Sequence, residues 1–415
     1  MKYDVVVLGG GVVGVSIATH LQMRGRSVAL IDLKSPGSET SFGNAGLIQR
    51  EGVYPYAFPR DIASLIKYAL NYSPDVRYHP KAILKLAPFL WKYWMNSHSF
   101  RHARIARSYE TLIQHCVSEH HALANAAQAR HLLRPGGWIK VFRTSKKQDT
   151  EIQFAEQCKA EYGVQFELLD SSSLHQIEPD LDQSLLSALR YTDSETVSDP
   201  GALVAAYTKY FEHLGGQFFF GDAFTLSNQW TVKTEQGQIQ ADDAVIALGP
   251  WSDILCSRLG YRFPLAVKRG YHMHYGVRQN VHLFHPILDI ENGFLLAPMS
   301  RGIRLTTGAE FAKRDSKKTP VQLDLVEPIA RKLFPITMRL DETPWMGCRP
   351  CTPDMLPIIG PAPRHKRLWF AFGHAHHGLT LGPITGRLLA EMITEGEVIV
   401  DPLPFSANRF IAPQS

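Results

Sequence analysis

Val5-Val6-Val7-Leu8-Gly9-Gly10-Gly11-Val12-Val13-Gly14, continued by Val15 to Leu21 and by Ser27-Val28-Ala29-Leu30-Ile31-Asp32, decides the fold. Val5–Leu8 is an unbroken apolar run, the pattern of a strand covered on both faces. Glycines follow at once, and the spacing of Val15, Ala18 and Leu21 predicts a helix that ends at Arg24-Gly25. A second apolar strand then closes on an acid. This is a complete β-α-β unit. Gly9-x-Gly11-x-x-Gly14 alone carries little weight, but here it leaves a buried strand, opens a helix and precedes Asp32 with seventeen residues between. That context makes it a dinucleotide fingerprint. Gly9 makes the tight turn, Gly11 lets backbone approach a pyrophosphate, and Gly14 permits close helix–strand packing. The helix start at Val12 and Val13 turns unpaired N–H groups and a positive dipole end towards the phosphates. Asp32, followed by Leu33, is placed to accept hydrogen bonds from ribose hydroxyls. The alternative is a tight turn without a ligand.

Outward from this unit, bulk properties narrow the class. A chain of 415 residues exceeds one small core and suggests two domains. With 45% hydrophobic and 20% charged residues, the composition is that of an ordinary globular protein. A net charge of +5 is well short of what nucleic-acid binding calls for, so no nucleic-acid partner is expected. Five scattered cysteines argue against a disulfide scaffold and for a reducing compartment. Val5–Leu8 is too short for a signal-peptide core, and no uncharged apolar stretch of ~18 residues suggests a membrane span. A cytoplasmic location is expected, with peripheral contact on the inner face of the cell membrane left open.

Further along, Gly137–Phe142 alternates like a strand, and Asp199-Pro200-Gly201 opens a helix that closes at Gly215-Gly216. Gln217–Phe220 and Asp243–Gly249 read as strands, 265–305 is strand-rich, and a final helix is expected from near Gly382. From Tyr54 to Arg134 the sequence predicts helices broken by Pro74, Pro80 and Pro88, with Lys67, Lys85 and Lys92 among aromatics such as Trp91 and Trp94. That region either lies on a bilayer interface or caps a substrate domain with its aromatics buried.

The fingerprint does not separate FAD from NAD. It stands at the start of the chain, occurs once, and is answered near the end by a second glycine-rich turn, Phe372-Gly373-His374-Ala375-His376-His377-Gly378-Leu379-Thr380-Leu381-Gly382. A helix N-terminus there would stabilise negative charge on a reduced flavin ring. The alternative is an ordinary helix entry.

Two more blocks carry a resemblance. Glu39-Thr40-Ser41-Phe42-Gly43-Asn44-Ala45-Gly46 resembles the flavin-contacting loop of bacterial D-amino acid dehydrogenases. Arg349-Pro350-x-x-Pro353-Asp354-x-x-Pro357-Ile358-Ile359-Gly360, followed by Gly373-His374, is similar to the C-terminal signature of the D-amino acid oxidase/dehydrogenase superfamily, which includes glycine oxidase and sarcosine oxidase. The resemblance runs from Val5 to about Ile393.

It implies an α/β protein: a Rossmann-type FAD-binding domain (1–50, 198–255 and 345–415) interleaved with a substrate domain of mostly antiparallel sheet plus helices (51–197 and 256–344). It implies non-covalent FAD, held by the fingerprint residues and by Thr40, Ser41, Asn44, Ala45, Gly46, Leu47, Ala247, Gly249, Trp251, Gly373, His374, Gly378, Leu379 and Thr380. Arg349 falls where relatives bind the substrate carboxylate, and a guanidinium fork suits that task. The alternative for Arg349 is a structural ion pair, for instance with Asp354. Phe294 stands where several relatives carry a carboxylate-binding tyrosine. Tyr271 either supplies that contact or is a core aromatic, and Tyr54 and Tyr56 are candidates for the site mouth.

The implied reaction passes hydride from Cα of a D-amino acid to flavin N5, giving an imine, with electrons leaving to a quinone or another carrier. The turn ending Gly378–Gly382 looks more like the D-proline and D-hydroxyproline branch than the D-alanine branch. Two other readings stand beside this one: an oxygen-using amine oxidase of the glycine or sarcosine type, and a flavin-binding subunit without catalysis of its own. Cys348-x-x-Cys351 lacks a partner pair for zinc, although relatives attach flavin covalently through a cysteine in that region. His374, His376 and His377 lack further ligands at useful spacing, so no metal is expected.

Overall fold

Val5, Val6, Val7 and Leu8 are all buried because the strand Lys2–Leu8 lies inside a seven-stranded sheet covered on both faces. The computed structural model describes residues 1–411. Lys2–Leu8 pairs in parallel with Val28–Asp32 on one side and with Gly237–Ile246 on the other. Gln217–Phe220 extends the first side in parallel, and Leu368–Phe372 extends the second. Strand order therefore reverses beside Lys2–Leu8. In such sheets the crevice beyond the carboxyl ends at the reversal is where ligands bind. The antiparallel meander Gln217–Ser227, Thr231–Thr234 and Gly237–Ile246 carries the chain from one flank to the other.

The helix Val12–Met23 is buried along most of its length, and it packs on the last helix, Gly378–Ile393. A Cβ added at Gly386 would lie 2.6 Å from the Ser16 carbonyl carbon, and one at Gly382 2.8 Å from Val12 Cγ2. The two helices thus meet almost backbone to backbone, which only small residues permit.

The second sheet has eleven strands, mostly antiparallel, built around the long strand Ala266–Val277. That strand pairs with Gly302–Thr306, Ala309–Phe311, Ile336–Arg339 and Trp345–Cys351. Beyond it come Phe294–Met299, Ile287–Asp289, Trp138–Phe142, Ser187–Tyr191 and Phe166–Asp170. The helices Ile62–Ala69 and Pro80–Asn96 flank the other end, next to Val76–Tyr78, which pairs with Ala309–Phe311.

Three local expectations change. Trp345–Cys351, expected within the first domain, is hydrogen-bonded into the second sheet along seven register pairs. Pro88 does not break its helix but sits inside Pro80–Asn96; the carbonyl it deprives of a partner belongs to Leu84, which is 83% exposed and can be solvated. The last helix begins at Gly378 rather than Gly382, with Pro383 inside it. Pro383 cannot donate to the Leu379 carbonyl, and His120 Nε2 bonds that oxygen instead at 2.8 Å.

Candidate active site

The carboxyl ends of the parallel strands open on a cavity of about 1350 Å³ that continues to the face of the second sheet. Typical small-molecule pockets hold ~300–1,000 Å³, so this one has room for a dinucleotide and a substrate together. At its first end, Gly9 adopts φ +115°, and a Cβ there would lie 2.4 Å from the Ala247 carbonyl oxygen. A Cβ on Gly14 would lie 1.9 Å from the Gly9 carbonyl oxygen. The loop is folded tightly beneath the strand end, which brings the helix start to the cavity. Its N-cap, Gly11, has no side chain to cap the first turn. Ser41 Oγ accepts from the Val12 N–H at 3.0 Å.

Asp32 ends the second strand and lines the cavity. Its carboxylate accepts from the Gly10 N–H at 2.6 Å and the Lys34 N–H at 3.0 Å, and burial pushes its pKa up. Leu33 beside it is 63% exposed. Gly9, Gly11, Val12, Val13, Thr40, Ser41, Asn44, Ala45, Leu47, Ala247, Gly249, Trp251, His374, Gly378 and Leu379 also face this space. Gly14, Gly46, Gly373 and Thr380, expected as contacts, stand behind the wall and shape it. Thr380 Oγ1, for example, donates to the Leu47 carbonyl at 3.1 Å and accepts from the Gln49 N–H at 3.3 Å, tying the last helix to the loop. The loop Glu39–Gly46 is held from outside. Arg304 donates to the Phe42 carbonyl at 3.0 Å and also to that of Asn44, and Thr40 Oγ1 donates to the Cys348 carbonyl at 3.3 Å.

At the other end, Arg349 lies flat across the strand Ala266–Val277. Gly270 makes this possible, since a Cβ there would sit 2.6 Å from Arg349 Nη2. The guanidinium donates to the Gly308 carbonyl at 2.9 Å and has no carboxylate partner among the described residues. Asp354, the partner a structural ion pair would need, is bound instead by Arg409 at 2.9 Å. Burial lowers the Arg349 pKa, the response of a cation without a counter-ion.

Tyr271 cannot supply the second carboxylate contact. Its hydroxyl donates to Glu310 at 2.9 Å and accepts from Arg269 at 2.7 Å and from the Thr319 N–H at 2.9 Å. Phe294 is buried and contributes only an apolar wall. Tyr56, at the mouth, is better placed. It lines the cavity, and its ring packs on His376 at 4.4 Å. Tyr54 also lines the mouth, with its hydroxyl on Glu161 at 2.7 Å.

Lys268 and Lys140 also line the cavity, and the sequence did not single them out. Lys140 is paired with Glu151 at 2.8 Å. Lys268 is the register partner of Arg349. The signal for Lys268 was the doublet Lys268-Arg269 inside an apolar strand, because consecutive residues point to opposite faces.

All five cysteines are free and buried. Arg349 and Cys351 line the cavity whereas Cys348, on the alternate face, does not, and burial pushes its thiol up to about 11. A protonated thiol turned away from the cavity does not favour a flavin thioether. His374 bonds Thr385 at 3.0 Å and His377 bonds Tyr109 at 2.7 Å, and burial lowers both to about 3. The described residues hold no cluster of metal-ligating side chains.

Comparison with known proteins gives the family and the fold. The family described as FAD dependent oxidoreductase matches residues 4–392. A D-amino acid dehydrogenase of Granulibacter bethesdensis is 29% identical, covering 98% of this chain and 99% of its own. A D-amino-acid oxidase of Bradyrhizobium diazoefficiens is 28% identical over 98% of this chain and 99% of its own. The crystal structure of glycine oxidase from Geobacillus kaustophilus superposes with a TM-score of 0.75 at 24% identity, covering 99% of this chain and all of that one, a likeness of fold.

Proposed function

The chain belongs to the family of FAD-dependent oxidoreductases, and from that premise we propose that it is a D-amino acid dehydrogenase passing electrons to a membrane quinone. The observation that carries this reading is Arg349: a cavity-lining guanidinium that, among the described residues, has a single carbonyl partner and no counter-ion, a site that an amino acid's α-carboxylate completes. FAD, when bound, supplies the two-electron acceptor for hydride leaving Cα. Asp32 and the first turn of Val12–Met23 would hold its ribose and pyrophosphate, and Gly378 and Leu379 its ring, with Cys348 uninvolved. Arg349 fixes the carboxylate, Tyr56 adds a hydroxyl donor, and Phe294 excludes water on the far side. The substrate amine reacts unprotonated and its lone pair forms the C=N bond as hydride leaves. The iminium so formed then takes up water to give a 2-oxo acid and ammonium.

Anaerobic titration of the flavin band with D- and L-alanine, D- and L-proline, D-hydroxyproline, glycine and sarcosine tests the reading. Bleaching by D-enantiomers, with slow recovery in air, is the expected result. Rapid recovery with hydrogen peroxide would make it an oxidase. A flavin that no amino acid bleaches would leave only a flavin-binding subunit. The cyclic substrates are included because of the likeness of the Gly378–Gly382 turn to their branch.

The quinone proposal rests on the helices at the cavity mouth. No residue of Ile62–Ala69 is buried: Leu65, Tyr68 and Ala69 line the cavity, while Ile62 and Ile66 face solvent. Pro80–Asn96 likewise exposes Leu84 and Trp91, flanked by Lys81, Lys85 and Lys92, all exposed, opposite a buried Phe89 and Tyr93. Apolar side chains framed by lysines suit an anionic bilayer surface. No helix among the described residues is long and apolar enough to cross a membrane. Co-sedimentation with vesicles of phosphatidylcholine plus phosphatidylglycerol is expected, and it should be lost in Ile66→Asp/Leu84→Asp with turnover on a water-soluble dye unchanged. Equal recovery of this variant and the unmodified protein on vesicles would remove the bilayer from the proposal.

A further inference from the structure

The cavity holds more unmatched positive charge than one carboxylate accounts for. Each carboxylate that lines it is already engaged. Asp32 takes two backbone N–H groups, Glu39 pairs with Lys34, and Glu151 pairs with Lys140. Asp75 accepts from Tyr68 at 2.8 Å and lies 3.5 Å from Lys67, and Asp222 accepts from the Phe224 N–H at 2.8 Å. Lys34 and Lys140 are the cations matched in these pairs. Arg349 and Lys268 remain, and neither meets a carboxylate among the described residues.

These two are neighbours by construction. Lys268 and Arg349 face each other across the antiparallel pair of Ala266–Val277 and Trp345–Cys351, so their side chains leave the same face of the sheet with Cβ atoms ~5 Å apart. The two then meet different partners. The guanidinium turns over Gly270, two residues along the strand, or roughly 7 Å at the usual rise. The ammonium sits at the Tyr93 hydroxyl, 3.1 Å away, and lies over the rings of Tyr93 and Phe311 at 4.2 and 5.5 Å. A hydroxyl and two ring faces hold a cation in place but leave its charge unneutralised. Like charges fixed on one wall, with no carboxylate of the described residues paired to either, make a site for a ligand with two anionic groups.

We propose that Lys268 is a second carboxylate anchor and that the preferred substrates are D-amino acids with an acidic side chain, D-glutamate and D-aspartate. Arg349 takes the α-carboxylate and Lys268 the side-chain carboxylate, with Cα held between them. The inference rests on the reading of Arg349 given above, and it ranks D-alanine and D-proline behind the acidic substrates. A neutral side chain would leave the ammonium desolvated and unmatched in the closed site, which is the cost that produces discrimination.

The test uses the FAD-loaded enzyme in two ways. Perturbation of the oxidised flavin spectrum is titrated with glutarate and with butyrate, neither of which can be oxidised. Glutarate is expected to bind at least ~10-fold more tightly, an advantage that disappears in Lys268→Gln and returns in Lys268→Arg. In anaerobic reduction, Lys268→Gln is expected to lower kcat/KM for D-glutamate by ~10²-fold and to raise that for D-alanine, which no longer leaves an ammonium unmatched in the closed site. Equal affinity for glutarate and butyrate in the unmodified enzyme overturns the proposal, and that result stands even if the variants do not load FAD. If no amino acid reduces the flavin, the dehydrogenase reading fails, while the glutarate preference still decides whether the two-cation site exists.

Discussion

Replacing Arg349 by methionine is expected to lower kcat/KM for D-amino acids by ~10²–10³-fold while leaving FAD bound and the fold intact. Removing one member of a desolvated charge pair costs ~2–5 kcal/mol, and each 1.4 kcal/mol is about tenfold. Methionine keeps most of the aliphatic stem, so the wall over Gly270 stays filled. Among the described residues the guanidinium has only the Gly308 carbonyl as a partner, so its loss should leave the melting temperature unchanged or slightly raised. Arg349→Lys retains the charge without the fork and should recover part of the loss. The measurement is the rate of anaerobic flavin bleaching against substrate concentration. A variant that reduces its flavin at the unmodified kcat/KM, or one whose melting temperature collapses, would show the arginine to be structural.

Gly14→Ala should give a protein that purifies without flavin. The added Cβ would lie 1.9 Å from the Gly9 carbonyl oxygen and 3.5 Å from Ala247 Cβ. The first obstacle is backbone, so no rotamer relieves it. The helix Val12–Met23 must back away from the sheet. Its other side is already against Gly382 and Gly386, where a shift of that size meets backbone again. Overpacking of this kind costs ~1–3 kcal/mol or more, and it also moves the helix N-terminus off the phosphates. FAD titration of the apoprotein should show affinity reduced by ~100-fold or beyond, with a lowered melting temperature. Stoichiometric flavin in the purified variant would mean that the fingerprint is not holding the cofactor.

How much of this was legible in the linear sequence depended on range. The unit Val5–Asp32 could be read outright because all its determinants, buried strand, three glycines and acid, lie within one stretch whose geometry they dictate locally. Arg349 was found by resemblance, and no spacing pointed to it. Its isolation from Asp354 became visible only once Arg409 was seen to claim that carboxylate. Tyr271 stayed open between a carboxylate contact and a core aromatic for a similar reason. Its hydroxyl is engaged by Glu310 and Thr319, thirty-nine and forty-eight residues away. Lys268 needed the register between two strands some eighty residues apart, which no periodicity encodes. The last helix was expected to start near Gly382, yet it starts at Gly378; a histidine from a distant helix, His120, donates to the Leu379 carbonyl the bond that Pro383, lacking an N–H, cannot.

The pairing of Lys2–Leu8 with Gly237–Ile246 has a temporal side. At ~5–20 residues per second, the opening strand leaves the ribosome on the order of 10–50 s before its second neighbour exists. Gly378–Ile393, which completes the wall, is made later still. An apolar strand and a half-covered helix must wait through the synthesis of all that lies between, available to chaperones and to aggregation. FAD cannot be enclosed until Gly378–Ile393 has been made. Cofactor supply therefore acts only after that segment has emerged, and starvation for flavin would be felt as a loss of protein yield as well as of activity.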